Sequence, residues 1–512
     1  MAASRTRLSF FGGVGEVGGN KVLLESGGSR IFLDFGMSFR QNGKFFAEFL
    51  SARAGAGFKD FWRMGLLPRF RDDLSVYRPD HLRHMGLSPV PERGLDGVLV
   101  SHAHMDHVNY VTFLRPDVPI HMTPGAYEIL AAMEDAGRGK GDGEWLRYFP
   151  SHRLVKYRDR EEFRHGTSKD DPPVPRKVEK LPSKPFRVGE FEVTPFPVDH
   201  SLPGAAAFVA ESGDARLAYT GDLRFHGRHG SVSRTFMDEA AEHDVDALLV
   251  EGTRVQKSAD EVPETEVEAQ LRDAFASAKG LVVCNWPPRD VDRMVSFVLA
   301  ARATGRTVVV DTKQAVTLRR LERAGIEAPR VGRDVHVFLP RKGWCAWGDD
   351  RFPRNVQEMD YEEWEEPFLH ADYAVTPADL HERSAEYVWR CDFFGLHDLV
   401  DVEPPPGSTY VHSLTEPFSD EMRLDEKLVQ SWLDHFGLGP MRRTHASGHV
   451  NAEQLLELIR TMNPKVVYPI HTEHPEEFRD IVERAGIAGK VVLPRAPTME
   501  EAMKGEGHFR VP

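Results

Sequence analysis

The 512-residue chain is poor in cysteine, with only three such residues. Cys284, Cys345 and Cys391 lie far apart and form no C-x-x-C pair. This spacing argues against a disulfide framework and against a zinc site built from thiolates. A reducing, cytoplasmic environment is the expectation that follows.

Long apolar runs are also missing. No window approaches the ~18 continuous apolar residues of a membrane span. The segment from Met1 to Arg7 leads into the first apolar residues without the hydrophobic core of a signal peptide. We therefore expect neither export nor a membrane partner. Apolar residues make up 41% of the chain, which is ample for a large core, and a rule of about 150 residues per domain suggests three units.

An excess of positive charge is absent too, since the formal net charge is −14. Taken alone, this argues against a polyanionic partner, because phosphate contacts need Lys and Arg. Bound metal ions and a locally basic groove can nevertheless reverse the sign near a site. The segment from Lys156 to Arg187 carries ten basic against six acidic residues. It is read either as a solvated loop or as a segment lying near the site.

What the chain does contain is a histidine-rich run, SHAHMDH, directly after a strand-like apolar stretch at 98–100. In an extended loop His102 and His104 point the same way. Asp106 and His107 continue around the bend and can face a second cation. Imidazole and carboxylate are ligands that Zn²⁺ or Mn²⁺ accept. The run predicts a site for two metals, and the alternative is a solvated histidine-rich turn.

Two metals need more ligands than this run supplies, so further acids and histidines are expected at the ends of other buried strands. Residues of this kind follow short apolar runs at five places: Asp34, His200, Asp222, Glu251 and His471. Each one alone is more often a helix cap or a satisfied buried group. Together they favour a site at one edge of a sheet.

The order of these residues resembles the metallo-β-lactamase fold. Four further motifs are similar to ribonuclease J and its β-CASP relatives, and the resemblance covers nearly the whole chain. The motifs are GGVGEVGGN at 12–20, HSLPG at 200–204, TGDL at 220–223 and HASGH at 445–449.

The resemblance implies an α/β fold, namely a metallo-β-lactamase αββα sandwich with an inserted β-CASP α/β domain. The expected parts are 1–253, with insertions near 38–92 and 136–182, then the β-CASP domain at 254–437 and a return to the first domain at 438–512. Within the insert, a strand, helix and strand pattern between Gly280 and Asp311 indicates a parallel sheet. A separate nucleotide-binding domain is the alternative, but no G-x-G-x-x-G turn follows the first strand.

The resemblance also implies roles. His102, His104 and His200 would hold one metal, Asp106, His107 and His471 the other, and Asp222 would bridge them. Asp34 would orient a ligand histidine. Glu251 matches the acidic motif of the family, and His449 its phosphate-contacting, proton-donating histidine. His445 and Ser447 would complete the phosphate contacts.

The residues themselves give a second reason to expect an anion at this last motif. Ser447, Gly448 and His449 are expected at a helix N-terminus, where unpaired amides and the helix dipole attract negative charge. Helix capping by Ser447 is the plain alternative.

The expected activity is that of a metal-dependent ribonuclease acting on single-stranded RNA, as a 5′ to 3′ exonuclease with some endonuclease activity. Two divalent ions, zinc or else manganese, would serve as cofactors. Trp286, Arg289 and the segment 344–347 are candidate RNA contacts or else interdomain packing. The oligomeric state stays open, with a homodimer among the options. The alternative functions are a β-CASP DNA nuclease, a small-molecule metallo-hydrolase of the same fold and a scaffold subunit without activity.

Overall fold

The computed structural model describes residues 6–47, 49–53, 57–70, 73–137, 143–149, 153–157, 160–164, 173–257, 262–343, 345–417 and 420–512. Trp344 and parts of the basic segment, residues 158–159 and 165–172, lie outside this range. Among the described residues, no helix combines the length and the apolar character needed to cross a bilayer.

The described residues of the N-terminal half contain strands β1 Arg7–Gly12, β2 Lys21–Ser26, β3 Ser29–Leu33, β4 Gly97–Leu99, β5 Ile120–Met122, β6 Arg147–Tyr148, β7 Arg153–Tyr157, β8 Arg160–Arg164, β9 Val174–Pro175, β10 Val178–Lys180, β11 Phe186–Val188, β12 Phe191–Pro197, β13 Ala206–Ser212, β14 Ala215–Tyr219 and β15 Ala247–Glu251. Its α-helices are α1 Phe39–Gly43, α2 Gly57–Arg63, α3 Asp73–Val76, α4 Pro79–His84, α5 Met105–Val108, α6 Pro124–Asp135 and α7 Gly230–Ala241, with a 3-10 helix at Asn109–Phe113.

The middle of the chain contains strands β16 Val282–Asn285, β17 Thr307–Val310, β18 Val335–Phe338, β19 Ala374–Val375, β20 Tyr387–Arg390, β21 Thr409–His412 and β22 Arg442–Arg443. Its helices are α8 Glu264–Ser277, α9 Val291–Ala303, α10 Thr312–Arg323, α11 Arg354–Glu358, α12 Glu366–Leu369, α13 Pro377–Glu382, α14 Leu399–Val402 and α15 Asp420–His435, with 3-10 helices at Ser384–Glu386 and Phe393–Asp398. The C-terminal part adds α16 Ala452–Met462, β23 Val466–Ile470, α17 Pro475–Arg484, β24 Lys490–Val491, α18 Met499–Lys504 and β25 Phe509–Arg510.

Two seven-stranded sheets form a sandwich. Their strand orders are β10-β5-β4-β3-β2-β1-β25 and β11-β12-β13-β14-β15-β23-β24. Apolar side chains from both sheets, such as Phe10 and Leu249, share one core. Helix α6 covers the outer face of the first sheet, and α7, α16 and α17 cover that of the second. These four layers confirm the predicted αββα sandwich.

The segment between β3 and β4 packs against the outer face of the first sheet. Its helices α2 and α4 bury aromatic and aliphatic side chains, including Phe61, Trp62 and Leu82, in the same cluster as α6. This apolar packing explains why so many aromatic residues occur in the segment that follows strand β3.

The third sheet has the order β19-β18-β17-β20-β16-β21-β22, and every neighbouring pair in it is parallel. Separate apolar clusters cover its two faces, which is the usual condition for an all-parallel sheet. The predicted strand, helix and strand correspond to β16, α9 and β17. The two strands are not neighbours, because β20 lies between them. Apolar periodicity predicts where strands lie along the chain. It cannot predict that β20, which follows β17 by about 80 residues, inserts between β16 and β17.

The aromatic candidates for RNA contact are part of the interior. Trp286 is fully buried, with its ring centroid 4.4 Å from that of Phe297. Trp347 is buried against Tyr361. These two residues therefore pack within the third-sheet domain and not between domains, and their rings are buried away from any RNA strand that could stack on them.

Candidate metal centre

Six strand ends place the predicted ligands at one edge of the sandwich. Strands β3 and β4 are parallel neighbours in the first sheet, and β14, β15 and β23 are parallel neighbours in the second. Their carboxyl ends therefore point the same way, and β12 adds its own end to the group. The residues that follow are Asp34 after β3, His102 to His107 after β4, His200 after β12, Asp222 after β14, Glu251 at the end of β15 and His471 after β23.

Three imidazoles and one carboxylate form the first group of donors. The Nε2 atoms of His102 and His200 lie 3.0 and 3.2 Å from Nδ1 of His104. Oδ2 of Asp222 lies 3.7 Å from His102 Nε2 and 3.8 Å from His200 Nε2. Four donor atoms thus surround one point, with all of them within 4.8 Å of one another.

The second group consists of Asp106, His107 and His471, and Glu251 and His449 lie beside it, within ligand distance of Asp222 and His471. His471 Nε2 lies 3.3 Å from Asp106 Oδ2 and 3.6 Å from Asp222 Oδ2. His107 Nε2 lies 3.2 Å from the same oxygen of Asp222. Asp222 therefore lies between the two groups, in the position predicted for a bridging residue.

Asp34 orients side chains of the loop that carries the histidine motif. Its buried carboxylate accepts hydrogen bonds from His107 Nδ1 at 2.7 Å, Ser101 Oγ at 2.7 Å and Tyr219 OH at 2.5 Å. Because Ser101 Oγ donates to Asp34, it accepts from His102 Nδ1 at 3.0 Å. Both histidines thus hold a proton on Nδ1 and direct the lone pair of Nε2 into the site.

His200 and His471 are oriented in the same manner by groups on other elements. His200 Nδ1 donates to the carbonyl of Gly448 at 2.6 Å. His471 Nδ1 donates to Thr253 Oγ1 at 2.8 Å, and Thr253 in turn donates to Glu251 Oε2 at 2.7 Å. The remaining ring nitrogen of each histidine, Nε2, faces the donor groups.

Two of these strand ends have unusual backbone geometry. Asp34 and His471 adopt positive φ angles of 55° and 51°. Residues other than glycine rarely occupy this left-handed region, and such strain tends to cluster at functional sites. The turn directs each side chain back over the end of its strand, which places it in the site.

Glu251 holds the ring of His449 beside the two donor groups. It accepts from His449 Nδ1 at 2.9 Å and from the amide of Leu223 at 2.9 Å. Burial by itself would lower the pKa of His449, but the charge of Glu251 and its hydrogen bond raise that pKa to about 9. His449 therefore presents Nε2 at the rim of the site while Glu251 holds the other side of its ring.

The loop that carries the HASGH motif, residues 445–449, is held in place by side chains from other parts of the chain. Arg293 Nη2 donates to the carbonyl of Ala446 at 3.1 Å, and Arg224 Nη1 and His226 Nε2 donate to that of Ser447 at 3.3 and 3.0 Å. Arg293 also donates to Nδ1 of His445 at 3.4 Å. Within the described residues His445 joins neither donor group, so the structure brings it to the margin of the site.

The predicted helix N-terminus at Ser447 is wrong. Helix α16 begins at Ala452, and Asn451 is its cap, accepting from the amide of Gln454 while Gln454 returns a bond to the Asn451 backbone. The hydroxyl of Ser447 instead accepts from the amide of His449 at 3.1 Å. The loop is shaped by these side-chain contacts, so the helix dipole does not act directly at Ser447.

The donor set fits a divalent metal ion. Burial holds the pKa of His102 and of His200 well below the ordinary histidine value, which keeps both rings neutral and their lone pairs available. Among the described residues, His107 Nε2 and Asp222 Oδ1 are buried without a hydrogen-bond partner. Buried polar atoms are normally satisfied, and a cation at this point would satisfy both.

Ser101, Tyr219 and Thr253 are the orienting residues that sequence reasoning missed. Ser101 directly precedes His102, Thr253 lies two residues after Glu251, and Tyr219 ends the strand before Asp222. A hydroxyl beside a ligand motif was therefore the only available signal. That signal could not predict which ring nitrogen each hydroxyl would contact.

Two domain profiles match parts of the chain. Residues 76–280 match the profile of the beta-lactamase superfamily domain, and residues 441–493 match that of the Zn-dependent metallo-hydrolase RNA specificity domain. The first match contains both the histidine motif and Glu251, and the second contains the HASGH motif and His471.

Ribonuclease J proteins are similar over most of the chain. The Mycolicibacterium smegmatis protein is 24% identical over 519 residues, covering 96% of this chain and 73% of that protein. The Pyrococcus abyssi protein is 21% identical, with coverage of 93% and 91%. The Helicobacter pylori protein is 21% identical over 91% of this chain, which spans just over half, 56%, of that relative.

A solved structure shares the fold. It is a protein of unknown function from Enterococcus faecalis, with a TM-score of 0.68, 22% identity and coverage of 96% of this chain and 98% of that one. The sandwich, the two matched domains and the similarity to ribonuclease J lead to one conclusion. The chain carries a beta-lactamase superfamily domain and a Zn-dependent metallo-hydrolase RNA specificity domain, and it is similar to ribonuclease J over most of its length.

Proposed function

We propose that this protein is a metal-dependent ribonuclease that hydrolyses phosphodiester bonds in single-stranded RNA, as a 5′ to 3′ exonuclease with some endonuclease activity. The observation that carries the proposal is that Asp222 lies between the two donor groups, with its Oδ2 3.7 Å from His102 Nε2 and 3.2 Å from His107 Nε2. Two ions, zinc in preference to manganese, would be held by His102, His104 and His200 on one side and by Asp106, His107 and His471 on the other. When bound, such ions generate a nucleophilic water near neutral pH and stabilise charge on phosphate oxygens.

Other residues of the chain would bind the phosphate and transfer the proton. Glu251 fixes the His449 ring through Nδ1, so we assign His449 Nε2 to contact a phosphate oxygen and to hand a proton to the leaving oxygen. Ser447 and His445 would provide further phosphate contacts on the same loop. Arg224 and Arg293 hold the carbonyls of that loop, which keeps these three side chains at a set distance from the donor groups.

We propose RNA in preference to DNA because the RNA specificity profile covers the loop and His471, and because the relatives are ribonucleases J. The proposed parts are residues 1–253 and 438–512 for the sandwich and 254–437 for the inserted domain. Strand β22 pairs with β21 and so adds residues 442–443 to the third sheet. The third sheet would form one wall of the RNA path, since Arg289 at its edge reaches the histidine motif.

The test is digestion of 5′-labelled single-stranded RNA and matched DNA by the metal-loaded protein, with His104→Ala as the inactive variant. His397→Ala is the matched control, because His397 is a largely exposed histidine on the third-sheet domain. We expect release of mononucleotides from the 5′ end of RNA, loss of this activity in His104→Ala and after chelation, and no change in His397→Ala.

Other outcomes would contradict the proposal in separate ways. Faster cleavage of DNA than of RNA would make the protein a DNA nuclease. Hydrolysis of a small ester or phosphodiester without cleavage of either polymer would retain the metal site but overturn the nuclease function.

A further inference from the structure

Arg289 extends from the third-sheet domain to the histidine motif. It lies in the connection between β16 and α9, and its Nη1 donates to the carbonyl of Ala103 at 3.1 Å. Ala103 stands between His102 and His104. The positive charge of Arg289 adds to burial in lowering the pKa of His104, and Asp106 acts on Arg289 in turn. The guanidinium is therefore close to both predicted donor groups.

The guanidinium has unused hydrogen-bonding capacity. Arginine carries five N–H donors, and the contacts of Arg289 within the described part of the chain are the Ala103 carbonyl and the sulfur of Met133, both through Nη1. No carboxylate of the described residues lies within 4.0 Å of it. A half-buried cation without an ion pair is costly unless a ligand completes its contacts.

The other arginines at the same interface have partners. Arg224 contacts Asp199 and Asp292, and Arg293 contacts Glu264. Arg320 of α10 bonds to carboxylates on α6 of the sandwich. The ion pairs of Arg224 and Arg320 thus already attach the two domains, and the charge of Arg293 is paired within its own domain. Arg289 differs from them in facing the metal centre and in lacking a carboxylate.

We infer that Arg289 binds a phosphate group of the substrate strand next to the bond that is cut, with its free N–H groups directed at the phosphate oxygens. This inference rests on the proposed function, because it takes the substrate to be a single-stranded nucleic acid. It makes Arg289 a substrate-binding residue supplied by the inserted domain, so that the third sheet helps position the strand over the sandwich.

The test measures binding by fluorescence anisotropy of a labelled single-stranded RNA with phosphorothioate linkages, at a series of KCl concentrations, with metal-loaded protein. Arg289→Met should weaken binding about tenfold. It should also reduce the slope of log K against log salt by about 0.7, the value for one lost phosphate contact on a single strand. Arg302→Met is the matched control, since Arg302 lies in the last turn of the following helix α9, is exposed and pairs with Asp334. It should leave the slope unchanged.

Arg289→Lys separates charge from geometry. It should keep the slope, because the charge remains, and lose several-fold in affinity, because a lysine cannot make the paired contacts of a guanidinium. Melting temperatures of all variants show whether each one folds. If Arg289→Met does not fold, the lysine variant decides the matter, and unchanged affinity in it overturns the inference.

The remaining outcomes distinguish this inference from the proposed function. If the wild-type protein cleaves RNA while Arg289→Met retains the wild-type slope, only the role of Arg289 is wrong. If the wild-type protein neither binds nor cleaves RNA, the proposed function fails and the inference fails with it.

Discussion

At the scale of single residues, Asp34 shows how one carboxylate determines the chemistry of its neighbours. It accepts from His107, Ser101 and Tyr219 at once, and through Ser101 it also determines the proton position on His102. A metal site of this kind depends on which ring nitrogen carries the proton as much as on which residues are present.

Replacing Asp34 by Asn should weaken zinc binding and RNA cleavage by about 10- to 100-fold. Asparagine has nearly the same size and tolerates the left-handed backbone, but its neutral amide no longer attracts the proton on His107 Nδ1. Zinc affinity can be measured by competition with a chromophoric chelator. The control is Asp244→Asn, another aspartate with positive φ whose side chain is 90% exposed. Equal zinc affinity in the two variants would contradict this role for Asp34.

At the scale of elements, the loop after β3 lies directly on the loop that carries the histidine motif. The amides of Phe35 and Met37 donate to the carbonyls of His107 and Met105. Gly36, between them, comes so close that a Cβ added there would lie 1.7 Å from the carbonyl oxygen of Asp106. The position of Asp106 and His107 therefore depends on the absence of a side chain at residue 36.

Gly36→Ala should lower stability by about 1–3 kcal/mol and reduce metal affinity with it, since the two loops must move apart. Thermal unfolding with and without zinc measures both effects. Gly43→Ala is the control, because no atom lies within 4 Å of its added Cβ and it ends helix α1. That change should be neutral or stabilising by up to about 1 kcal/mol. A melting temperature of Gly36→Ala equal to that of Gly43→Ala would show that the loops are not in contact.

At the scale of the whole molecule, a buried ionic network joins the sandwich to the third-sheet domain. Arg224 from the sandwich contacts Asp292 of α9, while Arg293 contacts Glu264 and the carbonyl of Ala446. Arg224, Arg293 and Glu264 are almost completely buried. The network therefore couples the docking of the two domains to the shape of the loop that carries His449.

Arg293→Met should destabilise the protein by about 3 kcal/mol, because it removes the nearer of the two arginines that pair with the buried Glu264 and leaves only Arg224 at 3.9 Å. The double variant Arg293→Met with Glu264→Gln removes both charges and should be more stable than the single variant. Comparing the melting temperatures of the two single variants and the double variant tests this coupling. Additive losses would mean that the two side chains do not interact.

The residues of the candidate metal centre could be predicted to a large extent from sequence, because the pattern that identifies them lies within a few neighbouring residues. A histidine run directly after an apolar stretch identifies both a strand and the loop that ends it, and Asp34, Asp222 and His471 repeat that pattern. The structure brings these residues together, while their roles as ligands stay a prediction for the metal experiments. The parallel third sheet also followed from apolar periodicity, whereas the sandwich followed only from the resemblance to the metallo-β-lactamase fold.

Other features could not be predicted because they depend on contacts between distant parts of the chain. Thr253 meets His471 across 218 residues, and Tyr219 meets Asp34 across 185. The expected helix start at Ser447 failed because side chains from two domains hold that loop. Arg289 was a candidate among several, and only its lack of a carboxylate in the folded chain sets it apart.

The sequence by itself determined the chemistry of the donors and the strands that carry them, because the alternation of apolar and polar residues is a property of neighbours along the chain. The tertiary structure alone decided which of these donors face each other. Asp106 and His471 lie 365 residues apart and come within 3.3 Å only because their strands enter the two sheets of one sandwich. The same packing selects the proton position on each histidine, since that depends on the hydrogen-bond partner behind the ring.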